Sequence, residues 1–262
     1  MAASAGTGAA GQGGGAEIFD DLEAEQDRLQ AILAGLSEAQ WAAPSAAAGW
    51  TVADVVLHLG QTEEAAAASA TATATGTGAG LRQERSGALD EVMDELVKAE
   101  RATAGQVFAR WRTARLAALA ALRAADPQRP LPWVDAPLKP ATLATTRLAE
   151  HWAHGLDITG PLGIDFPDTA RLRHIAWLAH RSLAYAYTLA GHQPQEIFCE
   201  LTAPDGTTRW RYGAADAGSA ITGPAGAFCR VAAQRLAPER SGLRTEGPHA
   251  ATALHVLRTY AA

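Results

Sequence analysis

Large apolar residues recur along much of this chain at spacings of three and four, the period of a helix that buries one face. Ile18, Leu22, Leu29, Ile32, Leu33 and Leu36 draw the first stripe and predict a helix from Glu17. Val52, Val55, Val56 and Leu59 draw the second, and Thr51 followed three residues later by Asp54 has the spacing of a capping box that starts it near Val52. Leu89, Val92, Met93, Leu96 and Val97 lead on to Phe108, Trp111, Leu116, Leu119 and Leu122, which predicts a third helix, long or broken. The proline-rich run DPQRPLPWVDAPLKP ends it, because proline has no N–H to donate and constrains the residue before it. A fourth helix is predicted over about Ala141 to Ile158, closing near Gly160.

Four helices joined by mostly short links predict an antiparallel bundle, an architecture that builds polar sites from inward-facing side chains. Beyond it the texture becomes mixed. Asp168 has the position of a cap for a fifth helix carrying Leu172, Ile175, Leu178 and Leu183. IFCELT and TTRWRY flank Ala-Pro-Asp-Gly and read as a hairpin. A helix is expected after the Gly-Pro of GPAGAFCRVAAQRL, and a closing one in HAATALHVLRTYAA. The expected organisation is a tail at 1–15, a helical bundle at 16–165 and a small α+β domain at 168–262. The fold class is mainly α.

Composition narrows this picture. The chain has 262 residues, 48% of them hydrophobic, and much of that share is alanine, which favours helix and buries little area. Against 22 Lys and Arg stand 28 Asp and Glu, a net charge of −6, which argues against nucleic acid as a partner. Cys199 and Cys229 are thirty positions apart with no second pair, so neither a disulfide framework nor a cysteine zinc site is encoded. No run of about 18 strongly apolar residues and no signal-peptide pattern occurs, so no membrane partner is expected and the expected location is cytoplasmic. MAASAGTGAAGQGGG carries no charge and little to pack, and reads as a dispensable disordered tail. TATATGTGAG at 71–80 reads as a linker; no apolar strand precedes it, as a phosphate-binding glycine loop requires.

The candidate chemistry lies on helical faces that should be buried. His58 is three residues after Val55 and one before Leu59, which turns it towards the bundle interior. In RLAEHWAHGLD, Glu150 and His154 are four apart and share a face. Two imidazoles and one carboxylate suit a divalent metal such as Zn²⁺ and leave coordination positions open. Each feature also has a plainer explanation: a neutral core histidine bonded to a carbonyl, and a Glu–His pair on a solvated face. His151 could pair with His154 but is turned about 100° from Glu150. Arg147 and Asp157 continue the polar stripe one turn to either side; Arg147 is a candidate to hold a substrate carboxylate, Asp157 to orient a ligand or accept a proton. Trp133 is a candidate to line a pocket, and the remaining histidines read as structural.

GWTVADVVLHL, followed about ninety residues later by RLAEHWAHGLDITGPLG, resembles the mycothiol-dependent maleylpyruvate isomerase family, within the wider DinB-like metal-binding bundles. The resemblance covers about 17–165. It implies a divalent metal, usually zinc, held by the histidine of W-T-x-x-D-x-x-x-H-L and by the Glu and His of E-x-x-x-H, which in this sequence are His58, Glu150 and His154. It also implies mycothiol as thiol cosubstrate, and a small C-terminal domain that region 168–262 matches in outline. The implied activity is that of a metal-dependent isomerase or thiol transferase acting on a small metabolite. Two alternatives stay open: a metalloenzyme that uses no thiol, working by hydrolysis, elimination or cyclisation, and a non-enzymatic binding protein. Substrate is expected between the bundle and the C-terminal domain.

Overall fold

The computed structural model describes residues 16–72, 89–134 and 136–259. They divide into two compact units, 16–167 and 168–259. The predicted tail at 1–15 and most of the predicted linker lie outside the described residues.

The first unit is a helical bundle: α1 (Glu17–Ala34), the short α2 (Glu38–Trp41), α3 (Val52–Thr71), α4 (Leu89–Ala99), α5 (Ala104–Ala124) and α6 (Pro140–Leu162). Helix α3 starts where its capping box places it. The Thr51 hydroxyl accepts from the Asp54 N–H, and Asp54 Oδ2 accepts from the Thr51 N–H at 2.9 Å. The third predicted helix is broken, because a second capping box, Thr103 with Gln106, starts α5 afresh after α4 has ended. Helix α6 opens with Pro140 in its first turn, where the missing N–H has no partner to lose, and stops at Gly163 in a left-handed conformation (φ 64°).

Most of the predicted stripe residues face inward, with Leu22, Leu29, Val56, Leu59, Trp111 and Leu122 among the buried side chains; Leu116 is the exception, 52% exposed, because it is five residues after Trp111 and so turned off the buried face of its helix. Two glycines set how closely elements approach. A Cβ at Gly60 would stand 3.5 Å from the Trp111 Cα, and one at Gly155 only 2.6 Å from Phe166 Cζ. Helices α1 and α5 run head to tail, with Arg123 reaching Asp20 and Glu23 while Arg115 reaches Asp27 and Gln30. The proline-rich connection is tied to the end of α3: Arg129 donates to the Ala70 and Ala72 carbonyls, which have no intrahelical partner there, and the Ser69 hydroxyl donates to the Pro132 carbonyl.

The second unit places α7 (Leu172–Leu189), α8 (Ala225–Ala232) and α9 (Ala250–Val256) with a four-stranded sheet of β1 (Phe198–Thr202), β2 (Arg209–Tyr212), β3 (Ala220–Pro224) and β4 (Arg244–Glu246), in the order β2-β1-β3-β4. The hairpin forms as predicted, antiparallel between β1 and β2, with Asp205 accepting from the Thr207 and Thr208 N–H groups in its turn. Strand β3 lies parallel to β1, and β4 antiparallel to β3. Neither was predicted, because Ala-Ile-Thr-Gly-Pro and Arg-Thr-Glu are too short to show an alternating pattern. Asp168 does not cap α7. Its carboxylate takes two bonds from Arg230, at 2.7 and 2.9 Å, and α7 starts after Arg171 without a side-chain cap. No described helix is long and apolar enough to cross a membrane.

Candidate metal centre

His58 projects from α3, and Glu150 and His154 project from α6, so the site needs these two helices side by side. They run head to tail: His58 meets His154 near one end, and Glu63 meets Arg147 further along. The structure brings the three expected ligands together. Glu150 Oε2 lies 3.7 Å from His58 Nε2 and 3.5 Å from His154 Nε2, and one ligand atom from each residue falls within 4.8 Å of the others. Bonds of roughly 2.0–2.1 Å to a tetrahedral ion would set donors about 3.3 Å apart, close to the spacing of these side chains. The donor set therefore fits a borderline divalent ion.

Burial and charge favour the liganding forms of the imidazoles differently. His58 is buried, and desolvation holds its pKa below the usual histidine value despite Glu150, so the imidazole stays neutral, the form that ligates a metal. Burial also opposes charge on His154, but the hydrogen bond to Asp157 and the nearby Glu150 carboxylate outweigh it and raise its pKa. Desolvation would raise Glu150, yet the His154 and His58 imidazoles beside it hold it well below the carboxylate range. Asp157 Oδ2 accepts from His154 Nδ1–H at 2.9 Å, which fixes the tautomer and leaves Nε2 facing Glu150. Among the described residues, His58 Nδ1 is buried without a hydrogen-bond partner.

Arg147 lies deeper, 3% exposed. Its Nε donates to Glu63 Oε1 at 2.9 Å and its Nη2 to the Thr62 hydroxyl at 2.7 Å, while Thr62 in turn donates to the His58 carbonyl at 2.9 Å. Its guanidinium carbon stands 5.9 Å from the centre of the Trp133 ring. His151 belongs to another face, as its rotation predicts. It accepts at Nε2 from the Trp111 indole N–H at 3.1 Å and donates from Nδ1 to the Arg147 carbonyl at 2.8 Å, and burial with the nearby Arg147 charge drives its pKa down to about 3.

Glu63 is the residue the sequence reading missed, and Trp50, which opens the W-T-x-x-D-x-x-x-H-L segment, is one to which it gave no role at the site. Glu63 is four residues beyond Leu59 and seven beyond Val56, so it continues the buried stripe of α3, and a carboxylate in that register was the available signal. Trp50 packs its ring 5.1 Å from the His58 ring and 6.4 Å from the His154 ring, centre to centre. Its indole N–H donates to Asp94 Oδ1 at 2.9 Å, a contact between residues 44 apart that no local pattern shows.

The helical bundle, followed by a small sheet-containing unit, has the DinB-like fold, with the His, Glu and His cluster on two of the bundle's helices. Residues 22–159 match the model of the mycothiol maleylpyruvate isomerase N-terminal domain, and the chain belongs to that family. It is 34% identical over 245 residues to two uncharacterized proteins of Mycobacterium tuberculosis, one from strain H37Rv and one from strain CDC 1551, with 92% of this chain and 94% of each relative covered. Crystal structures of the mycothiol-dependent maleylpyruvate isomerase and of a histidine-to-alanine mutant of it each superpose with a TM-score of 0.59 at 14% identity, covering 89% of this chain and 96% of theirs. At that identity the likeness is one of fold.

Proposed function

We propose that this protein is a metal-dependent enzyme of the thiol-assisted isomerase or transferase type, acting on a small metabolite at His58, Glu150 and His154. The convergence of these three donors on one point carries the reading. His58 and His154 would hold the ion through Nε2 and Glu150 through a carboxylate oxygen, and the N, N, O set favours Zn²⁺. When bound there, a divalent ion supplies Lewis acidity and lowers the pKa of a coordinated thiol, the role mycothiol would fill.

The chain's own side chains divide the remaining work. Asp157 takes the Nδ1 proton of His154 as its hydrogen-bond partner and so keeps Nε2 free for the ion. Trp50 excludes water from one side of the imidazoles. Arg147 is the buried cation beside Glu150 and favours an anionic group entering there, although Glu63 already offsets part of its charge. Trp133 beneath its guanidinium adds an apolar wall.

The test is a thiol-dependence assay: zinc-loaded protein with a cis-unsaturated dicarboxylic keto acid, with and without mycothiol, followed by NMR. Conversion to the trans isomer only with mycothiol and metal together is the expected result. Equal conversion without thiol would overturn the thiol-assisted reading, and equal conversion by the His58→Ala variant would overturn the site.

A further inference from the structure

The two histidines of the cluster are held in different ways. His154 has a carboxylate on its far nitrogen, the usual means by which a liganding imidazole is aimed. His58 has no such group: among the described residues nothing bonds its buried Nδ1. Apart from Glu150 at Nε2, the groups packed on the His58 ring are aromatic, with the Trp50 ring 5.1 Å and the steeply inclined His154 ring 5.0 Å away, centre to centre.

Trp50 is itself restrained from two sides. Its carbonyl accepts from the Ser45 N–H at 2.9 Å and from the Ser45 hydroxyl at 2.9 Å, which fixes the loop before α3. Its indole N–H is taken by Asp94 on α4 at 2.9 Å, and Lys98 holds that carboxylate at 2.6 Å. Helix α4 is fastened to α3 by bonds from Gln61 to the Leu96 carbonyl and to Glu100.

We infer that Trp50 is the positioning residue for His58, replacing by ring packing the hydrogen bond that His58 lacks, and that Asp94 anchors Trp50 from α4. This rests on the metal reading of the cluster. Asp94 thereby acts on ion affinity through two intervening side chains. Helix α4, which contributes no ligand, becomes part of the site's support.

The probe is Co²⁺ alone, titrated into the full chain and read by its visible d–d bands and by competition with a chromophoric chelator. Trp50→Ala should weaken Co²⁺ binding by about 10- to 100-fold, the range found when the support of a metal ligand is removed. Asp94→Ala should weaken it in the same direction but less and alter the band shape, whereas Asp94→Asn, which keeps an acceptor for the indole, should bind like the wild type. A merely structural role would lower the melting temperature of Asp94→Ala and leave its Co²⁺ spectrum unchanged, which would overturn the inference. If Trp50→Ala does not fold, the Asp94 pair decides alone, and equal binding by the two overturns it. His58→Ala separates the two readings: if it loses Co²⁺ while the Trp50 and Asp94 variants do not, only the positioning role fails; if it binds as tightly as the wild type, the metal reading fails and this inference with it.

Discussion

Replacing Arg147 by Met tests the buried charge pair next to the proposed site. The Arg147 side chain is 3% exposed and that of Glu63 is fully buried, so the variant would leave a carboxylate in the bundle interior without its cation. Breaking such a pair from one side costs about 3–5 kcal/mol, and a chain of this size loses roughly 2–4 °C of melting temperature per kcal/mol, so a fall of roughly 6–20 °C is expected. The pH dependence has a definite sign. Burial already raises the Glu63 pKa above 4.5 and Arg147 opposes that rise, so removing Arg147 raises it further. A carboxyl with a raised folded-state pKa supports the fold below its unfolded value and loses that support as pH rises through the folded value. The deficit of Arg147→Met should therefore widen as pH rises above about 4.5. The assay is urea unfolding at several pH values, with Arg147→Met/Glu63→Gln alongside, which should recover most of the loss. A deficit below about 1 kcal/mol in the single variant, or a double variant no more stable than the single, would refute the reasoning.

Asp157→Asn should weaken binding of the ion by about 10-fold or more in chelator competition, because the amide no longer holds the His154 Nδ1 proton with a negative charge. Gly155→Ala would place a methyl 2.6 Å from Phe166 Cζ, and thermal melting should show a loss of about 1–3 kcal/mol as the ring is displaced. Thr51→Ala should cost about 1 kcal/mol by the same measurement, since it removes the hydroxyl that accepts the Asp54 N–H at the start of α3.

What could be read from the sequence follows from the range of the forces involved. Thr51 and Asp54 fix the start of α3 through contacts three residues apart, so that boundary was legible, and with it the turn of the helix that carries His58 inward. Glu150 and His154 were legible for the same reason, one helical turn on one face. Their meeting with His58 across two helices was one reading beside plainer ones until the resemblance favoured it, because periodicity places a residue on a face but does not choose the partner helix. Arg147 was expected to face a substrate; its link to Glu63 spans 84 positions and is a packing outcome. Asp168 shows the opposite failure. A residue well placed for a cap was taken by Arg230, 62 positions away, because a two-bond ion pair holds it better than a lone N–H would. Strands β3 and β4 escaped because three to five residues with a glycine or a charge carry too little pattern, and the parallel pairing of β3 with β1 is set by the tertiary crossover.

The central claim is that His58, Glu150 and His154 hold one divalent ion. The most direct measurement is elemental analysis of the full chain purified without chelators, beside His58→Ala and His154→Ala prepared identically. The account predicts close to one ion per chain in the wild type and almost none in either variant, with melting profiles showing that both variants remain folded. Full metal content in the folded His58→Ala protein, or none in the wild type even after incubation with Zn²⁺, would contradict it.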